Sequence, residues 1–568
     1  MFLDSHYHYP CAVVHSLIIR IENETIRHSF IKIHARGPLS AQTGKVLHSL
    51  KAPGGFCTGL TWDGQALWTA DRKADKLVCL DPGSGRVIKK LESPGYFPTG
   101  LSWDGKWLWN ADIRGRSDIS ENLDGMIFKI DPENGNILQT LKSPVPSPQG
   151  ITWDGSALWA VDDTRKIVVR FSPEDGTTLN SFPSPASDPS GLTWDGSYLW
   201  ISDRVLDEFY MVDPATGYVI IIAPAPGPYI RDLAWDGNSL WCVDFQDDRL
   251  YKLQVRGNET VLMTDSRFHK LTYSHQTKVF GPGRLLELDV YLALPEDRVN
   301  QTIGAFEFSP EPAGLITDRW GQKAAHYHFS NQEHSRLDLE YTVEFQTRTV
   351  RYFLYPEKMG KLSEIPGEMK RYLADDEKYQ LNHPVIRNTI REVVGDEANP
   401  YWILRKIHQY LIARLEYRMD GYWDTAPTVI RNGHGSCSEY TFTFIALCRA
   451  AGLPARYVGS VWRRKDEAVM DNVFHRWAEV YLPGYGWVPT DPTHGDRISP
   501  RDQAYPIGLI ENDALITTES GGDSEILGWT YNSNEFYKTE PKTNINIEHF
   551  GDWLPADSVR TDGPVTAE

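Results

Sequence analysis

Along the first half of the chain, short runs of alternating apolar and polar residues recur in the same order. The run "GLTWDGQALWTAD" (59–71) returns as "GLSWDGKWLWNAD", "GITWDGSALWAVD", "GLTWDGSYLWISD" and "DLAWDGNSLWCVD". The tryptophans of the Trp-Asp-Gly triplets are Trp62, Trp103, Trp153, Trp194 and Trp235, at intervals of 41, 50, 41 and 41; the long interval carries a polar insertion, "IRGRSDISENLDG". Each unit reads strand, Asp-Gly turn, strand ("ALWTAD"), strand ("KLVCLDP"), turn and strand ("RVIKKL"). The Asp-Gly pair suits a tight hairpin because glycine accepts positive φ. A period near 40 with four short strands predicts propeller blades.

The last unit lacks a fourth strand, since "LYKLQVRGNET" runs straight into different sequence, while "TGKVLHSLKAP" (43–53) at the front matches the missing piece. Borrowing it closes the ring and removes two exposed sheet edges. The expectation is a five-bladed β-propeller over 43–256, with 43–50 as the outer strand of the blade built from 232–256. Asp71, Asp112, Asp162, Asp203 and Asp244 recur at one blade position and are read as turn-holding groups, the alternative being a ligand-binding ring of acids. Residues 1–42 are assigned to an N-terminal β extension. Its apolar run "CAVVHSLII" has no basic segment before it and no small-residue cleavage site after it.

From about 258 the period changes. "RLLELDVYLALPEDRVNQTIGAFEFSPEPAG" and "HSRLDLEYTVEFQTRTVRYFLYP" alternate apolar and polar residues over short strands, predicting a β-sandwich at 257–365. "HPVIRNTIREVVG" and "NPYWILRKIHQYLIARL" have i, i+3, i+4 apolar spacing and predict amphipathic helices. They open an α+β domain assigned to 366–535, followed by a C-terminal tail at 536–568.

Within that domain, "RNGHGSCSEYTFTFIALCRAAGLPARY" (431–457) places Tyr440, Phe444, Leu447, Cys448 and Ala451 on one helical face, with Gly452 at the C-terminal cap and Pro454 beyond it. Cys448 therefore belongs to the core. Cys437 falls in the first turn, where unpaired N–H groups and the helix dipole favour a nucleophilic thiolate. The base is expected from "VFHRWAEVYLPGYGWVPTDPTHGD" (473–496), which reads as a strand, a turn and a returning strand. His475 would be the base, and Asp491 would orient its imidazole and stabilise the cation, with Glu479 as the fallback orienter. Pairing Tyr481 with Trp487 sets Asp491 opposite Trp477, diagonal to His475; pairing Leu482 with Trp487 sends it to the wrong face. The backbone N–H of Cys437 supplies one oxyanion donor, and the second comes from Tyr417, Trp423 or neither.

"GSCSEYTFTFIALCRAAGLPARYVGS" and "HRWAEVYLPGYGWVPTDPT" resemble the Cys and His/Asp segments of the transglutaminase-like superfamily, in order, spacing and the flanking "RAAGLPAR". The resemblance covers roughly residues 400–495 and implies a nucleophile at Cys437, a base at His475 and an orienting acid at Asp491. The preceding β-domain resembles the N-terminal module often found before such cores. Peptide N-glycanases of this superfamily carry two C-x-x-C zinc pairs near the core; this chain has none, which disfavours glycan removal.

The fold class expected is thus multidomain and mostly β: propeller, sandwich, then an α+β transglutaminase/papain-like core. The function expected is a thiol-dependent amide-bond hydrolase acting on a protein or peptide through a Cys437 thioester, with the propeller as binding platform. The alternatives are protein-glutamine amine transfer and a non-catalytic propeller-based binding protein. A net charge of -18 argues against nucleic-acid binding. Cys11, Cys57, Cys79, Cys242, Cys437 and Cys448 form no C-x-x-C pair, so reduced thiols, no metal and no cofactor are expected. No run approaches the roughly 18 apolar residues of a membrane helix, and a cytoplasmic protein without membrane partners is the expectation.

Overall fold

The computed structural model describes residues 43–113, 125–255, 257, 259–333, 335–419, 423–464 and 470–554. The expected extension at 1–42 and most of the polar insertion (114–124) lie outside the described residues.

Each Trp-Asp-Gly unit folds for the same local reason. In the first, Asp63 Oδ1 accepts the backbone N–H groups of Gln65 (2.8 Å) and Ala66 (2.7 Å), closing the turn, while Oδ2 accepts the indole N–H of Trp68 at 2.8 Å. The pairs Asp104–Trp109, Asp154–Trp159, Asp195–Trp200 and Asp236–Trp241 repeat the indole bond at 2.9 Å. One carboxylate fixes both the turn and the second-strand tryptophan, which is why the spacing W-D-G-x-x-L-W recurs. The strand-end aspartates hold the next turn: Asp71 accepts from Lys73 N (3.1 Å), Asp203 from Val205 N (2.9 Å) and Asp244 from Asp247 N (2.8 Å).

Five four-stranded antiparallel sheets result. Their innermost strands, Cys57–Trp62, Pro98–Trp103, Pro148–Trp153, Pro189–Trp194 and Ile230–Trp235, pack one against the next, the last against the first, as in a five-bladed propeller. The outer strand of the fifth sheet is Lys45–Lys51, antiparallel to Arg249–Gln254 with Leu50 opposite Leu250. At the axis the inner strands come too close for side chains: a Cβ on Gly100 would lie 2.5 Å from the Gln149 carbonyl oxygen. Four blades carry glycine there (Gly59, Gly100, Gly150 and Gly191), and the fifth carries Asp232. Its buried carboxylate accepts the N–H groups of Leu60 (2.8 Å), Leu192 (3.2 Å) and Leu101 (3.3 Å), filling the axis with one side chain from one blade.

Blade four joins the propeller to the rest of the chain. Its outer strand, Val219–Pro224, is buried through Ala223, whereas the equivalent Val87–Glu92 is exposed or half-buried throughout. The helix Pro500–Ala504 packs on that strand, and Arg501 makes a two-pronged ion pair with Glu208 at 3.0 and 2.8 Å. An apolar cluster runs from Met211 and Ile221 through Phe353 to Leu404 and Leu447.

The sandwich corrects the expected boundaries. One sheet orders Gln301–Ser309, Arg336–Tyr352, Val261–Phe280, Asn544–Trp553 and Met470–Asp471; the other orders Gly314–Thr317, Lys323–Gln332, Leu285–Ala293 and Ser533–Thr539. The chain from 533 to 553, expected to straddle the end of the core and a tail, supplies one strand to each sheet. Its cross-strand partners lie more than two hundred residues earlier, at Leu271–Phe280 and Leu285–Leu292.

The intervening domain packs the helices Pro384–Val393, Pro400–Arg414, Ala426–Asn432 and Cys437–Ala450 beside a sheet ordered Gly486–Thr490, His475–Leu482, Ala455–Trp462 and Ala514–Ser520. Among the described residues, no helix is long and apolar enough to cross a membrane.

Candidate active site

The helix Cys437–Ala450 begins where the sequence signals place it. Ser436 is the N-cap; its Oγ accepts from Ser438 N at 3.4 Å, and Glu439 Oε2 accepts from Ser436 N at 2.9 Å, a reciprocal box that satisfies two orphan donors. At the far end, Gly452 N donates to Arg449 O (3.0 Å) and Leu453 N to Cys448 O (2.9 Å), with Gly452 at φ +88°. Cys448 is fully buried, and burial pushes its thiol pKa far up, as a core thiol requires.

The hairpin adopts the register that brings His475 and Asp491 together. Tyr481 lies opposite Trp487 and Ala478 opposite Thr490, with pairing continued to Leu482–Gly486 around a three-residue loop. Gly486 at φ +79° makes the bulge such loops use. Asp491 Oδ2 accepts the Nε2–H of His475 at 2.7 Å. Asp491 Oδ1 accepts the backbone N–H groups of Thr493 (2.9 Å) and His494 (3.3 Å). With Nε2 committed, Nδ1 is the ring nitrogen left for the Cys437 thiol, which is near enough for its charge to raise the His475 pKa.

Charge in this chain is strongly polarised. Burial opposes ionisation of Cys437, but the hydrogen bond and charge of His475, the backbone N–H of Arg476 and the Arg476 guanidinium outweigh it and lower the thiol pKa. Burial would likewise neutralise His475; the Asp491 carboxylate and the thiolate raise it instead, to about 10. Asp491 resists burial through the charges of His475 and His494 and stays far below the usual carboxylate range. The three shifts run in the direction that favours thiolate, imidazolium and carboxylate, the arrangement a nucleophilic thiol needs.

Glu479 is not available to orient His475. It is buried between Arg298 and Arg456, with Arg456 Nη2 at 2.8 Å. Of the two proposed oxyanion donors, Trp423 lies against the Arg476 guanidinium at 5.0 Å, and Tyr417 is 43% exposed, near enough for the Cys437 charge to raise its pKa beyond the effect of burial.

Three further side chains complete the site, none of them singled out by the sequence. Tyr531 lies beside Cys437, and burial and the thiolate charge raise its pKa. It fits because residue 459 is glycine: a Cβ there would stand 2.5 Å from the Tyr531 Cβ. Arg476 is fully buried, its guanidinium 4.3 Å from the Tyr531 ring, 4.5 Å from Tyr457 and 4.8 Å from Phe442. His494 stacks on His475 (centroids 4.9 Å apart, 14° between planes) and sets Nδ1 3.2 Å from Asp491 Oδ2. His475, Asp491 and His494 have one ligand atom each within 4.8 Å of one another, so they could hold a metal ion in competition with the thiol–imidazole contact. A cavity beside this trio is lined by Trp462, Trp477, Tyr505, Leu509 and Ile510.

Residues 387–492 match the model of the transglutaminase-like superfamily. An uncharacterized protein of Haemophilus influenzae is 23% identical over 260 residues, 40% of this chain and 69% of that protein. YebA of Bacillus subtilis is 38% identical over 71 residues, 11% of this chain; the chain spans only 10% of YebA's length. A provisionally assigned cysteine protease from Cytophaga hutchinsonii, 14% identical, aligns with a TM-score of 0.36 over 52% of this chain and 100% of its own. The segment carrying Cys437, His475 and Asp491 is a transglutaminase-like domain, of the class of thiol-dependent enzymes.

Proposed function

We propose that the protein is a thiol-dependent amide-bond hydrolase acting on a protein or peptide, with Cys437 as nucleophile, His475 as acid and base, and Asp491 as the group that orients His475. The supporting observation is His475 held at Nε2 by Asp491 at 2.7 Å and set close enough to Cys437 for each to shift the other's pKa. In the reaction, the Cys437 thiolate adds to the carbonyl carbon of the scissile amide. The imidazolium then gives its proton to the departing nitrogen, the C–N bond breaks and a thioester remains. Neutral His475 next takes a proton from water, whose oxygen adds to the thioester; the carboxylic acid leaves and the thiol is restored. The backbone N–H of Cys437, at the first turn of its helix, is the oxyanion donor assigned by this reading. The propeller serves as the surface that holds the polymeric substrate.

A second reading, transfer of the acyl group to an amine, is favoured by the cavity beside His475, whose aromatic and aliphatic walls could hold water away from the thioester. Incubation with a glutamine-containing casein and a fluorescent amine separates the two. New amino termini without label support hydrolysis, whereas Cys437-dependent labelling without cleavage supports transfer. Loss of both in Cys437→Ala and His475→Ala, with thermal unfolding unchanged, is expected; persistence of either product would remove the thiol from the mechanism.

A further inference from the structure

The strongest unassigned chemistry lies between the two sheets of the sandwich. His275 and His549 are directly opposed on neighbouring strands, their ring centroids 4.8 Å apart and tilted by 50°. Glu535, on the facing sheet, points inward beside buried Val290 and brings Oε2 to 3.9 Å from His549 Nε2. One ligand atom from each of the three lies within 4.8 Å of the other two.

These groups lack the partners that buried polar atoms normally find. His275 is fully buried; its Nε2 meets Thr277 Oγ1 at 3.1 Å, but its Nδ1 has no hydrogen-bond partner, and neither has His549 Nε2. Imidazole nitrogens buried without hydrogen-bond partners make a costly set in a protein interior. As a packing device they would be inferior to apolar residues of the same size. As ligands they are a donor set of the kind that binds first-row transition dications, zinc above all. The side chains of His549 and Glu535 keep 29% and 23% exposure, so the cluster lies near the edge of the sandwich interior.

We propose that His275, His549 and Glu535 form a site for a transition-metal dication of the zinc class, which joins the two sheets of the sandwich. Glu535 and His549 lie on the consecutive strands Ser533–Thr539 and Asn544–Trp553, the segment that returns after the catalytic domain, and His275 lies on Val261–Phe280. The ion would fasten that returning segment to the strand it has to find, and the site is independent of the amide chemistry assigned to Cys437.

The test uses the full chain stripped with a chelator, dialysed, and titrated with zinc alone. Bound zinc is measured after gel filtration, and thermal unfolding is followed with and without the metal. Because His475, Asp491 and His494 form a second candidate group, the measurement is made in His494→Gln as well. One zinc per chain retained in His494→Gln, and at least tenfold weaker binding in both His549→Gln and Glu535→Gln, is the expected result. Zinc should raise the unfolding temperature of the wild type and of His494→Gln, and leave that of Glu535→Gln unchanged. Glu535→Gln preserves shape, so it carries the test should His549→Gln fail to fold. Cobalt absorption in His494→Gln that disappears in Glu535→Gln would place the ion at the same residues. No zinc retained by the wild type, or zinc retained equally in Glu535→Gln, would overturn the proposal.

Discussion

In the propeller, every strand but one pairs within its own Trp-Asp-Gly unit, and the exception, Lys45–Lys51, closes the ring. In the sandwich, Val261–Phe280 pairs with Asn544–Trp553, and Leu285–Ala293 with Ser533–Thr539, across the entire catalytic domain. Both are antiparallel, so strand direction does not distinguish them. What differs is the chain length closed before a contact forms. The propeller is a ring of nearly independent local units, while the sandwich is a clasp whose second half arrives only after the core has been made.

Ending the chain at residue 532 should therefore have the largest effect. It removes a strand from each sheet and uncovers the cluster of Leu271, Tyr273, Val279, Leu288 and Val290. The sandwich and catalytic domain are expected to lose cooperative unfolding and all thiol reactivity above that of a free cysteine, while limited proteolysis leaves a fragment the size of 43–255. A truncated chain that keeps the full-length thermal transition would erase the distinction drawn between the two regions.

Deleting Lys45–Lys51 should be milder. It strips the outer strand from one blade, removes the buried Leu50 and uncovers Leu250 opposite it. One or two buried leucines and an outer ladder amount to about 3–5 kcal/mol of lost stability. Denaturant titration measures the loss, and alkylation of Cys437 should remain within about twofold of the intact rate. A loss confined to a few tenths of a kcal/mol would mean that the ring does not need its borrowed strand.

The same division separates what was legible in the sequence from what was not. The five blades were readable because the Asp63–Trp68 bond and its four copies are made five residues apart. Cys437, His475 and Asp491 were readable because the helix start carries its own capping signals and the hairpin register follows from the faces of two adjacent strands. The strands at 533–553 were hidden because nothing near them states that their partners lie at 271–292; an alternating run such as "NINIEHF" can pair with any open edge. Tyr531, on the threshold of that segment, was hidden with it. One signal was present and unused: "YVIII" in blade four has no polar face where the other outer strands alternate, which marks the side that the catalytic domain covers.

The local half of the site can be tested through Asp491→Asn. The carboxylate is the main influence raising His475 to about 10 against the opposing effect of burial. Its removal lowers that pKa, so the imidazolium is lost at lower pH and the alkaline limb of kcat/KM moves toward acid. At pH 7 the rate should fall by about 10⁴, the loss seen when the orienting acid of a triad is neutralised. An unchanged alkaline limb would take Asp491 out of the proton chemistry.

The assembled half of the site is tested by Arg476→Met, where the expected effect is the smallest. Arg476 Nη2 donates to the Trp529 carbonyl at 2.6 Å, but Nε and Nη1 have no partner, and the guanidinium is enclosed by the rings of Trp423, Phe442, Tyr457 and Tyr531. Cation–π attraction offsets part of the desolvation of so deeply buried a charge, though not the two unused donors. Methionine is flexible enough to fill the aromatic cage, and replacing an incompletely satisfied buried cation by an apolar side chain is neutral to stabilising, here by about 0–2 kcal/mol. The thiol loses in the same exchange. The Arg476 charge is one of the influences lowering the Cys437 pKa, whereas the backbone N–H of residue 476 and the His475 contact survive the substitution. The midpoint for iodoacetamide alkylation should therefore move to higher pH, with a several-fold loss of rate at pH 6 that fades toward pH 9, and with thermal stability equal to or above wild type. Loss of the fold in Arg476→Met would make the cage structural; equal rates at both pH values would separate Arg476 from the thiolate. A chain that is at least as stable yet slower only on the acid side would show that the residues meeting around Tyr531 are arranged for the sulfur's charge, at some expense to packing.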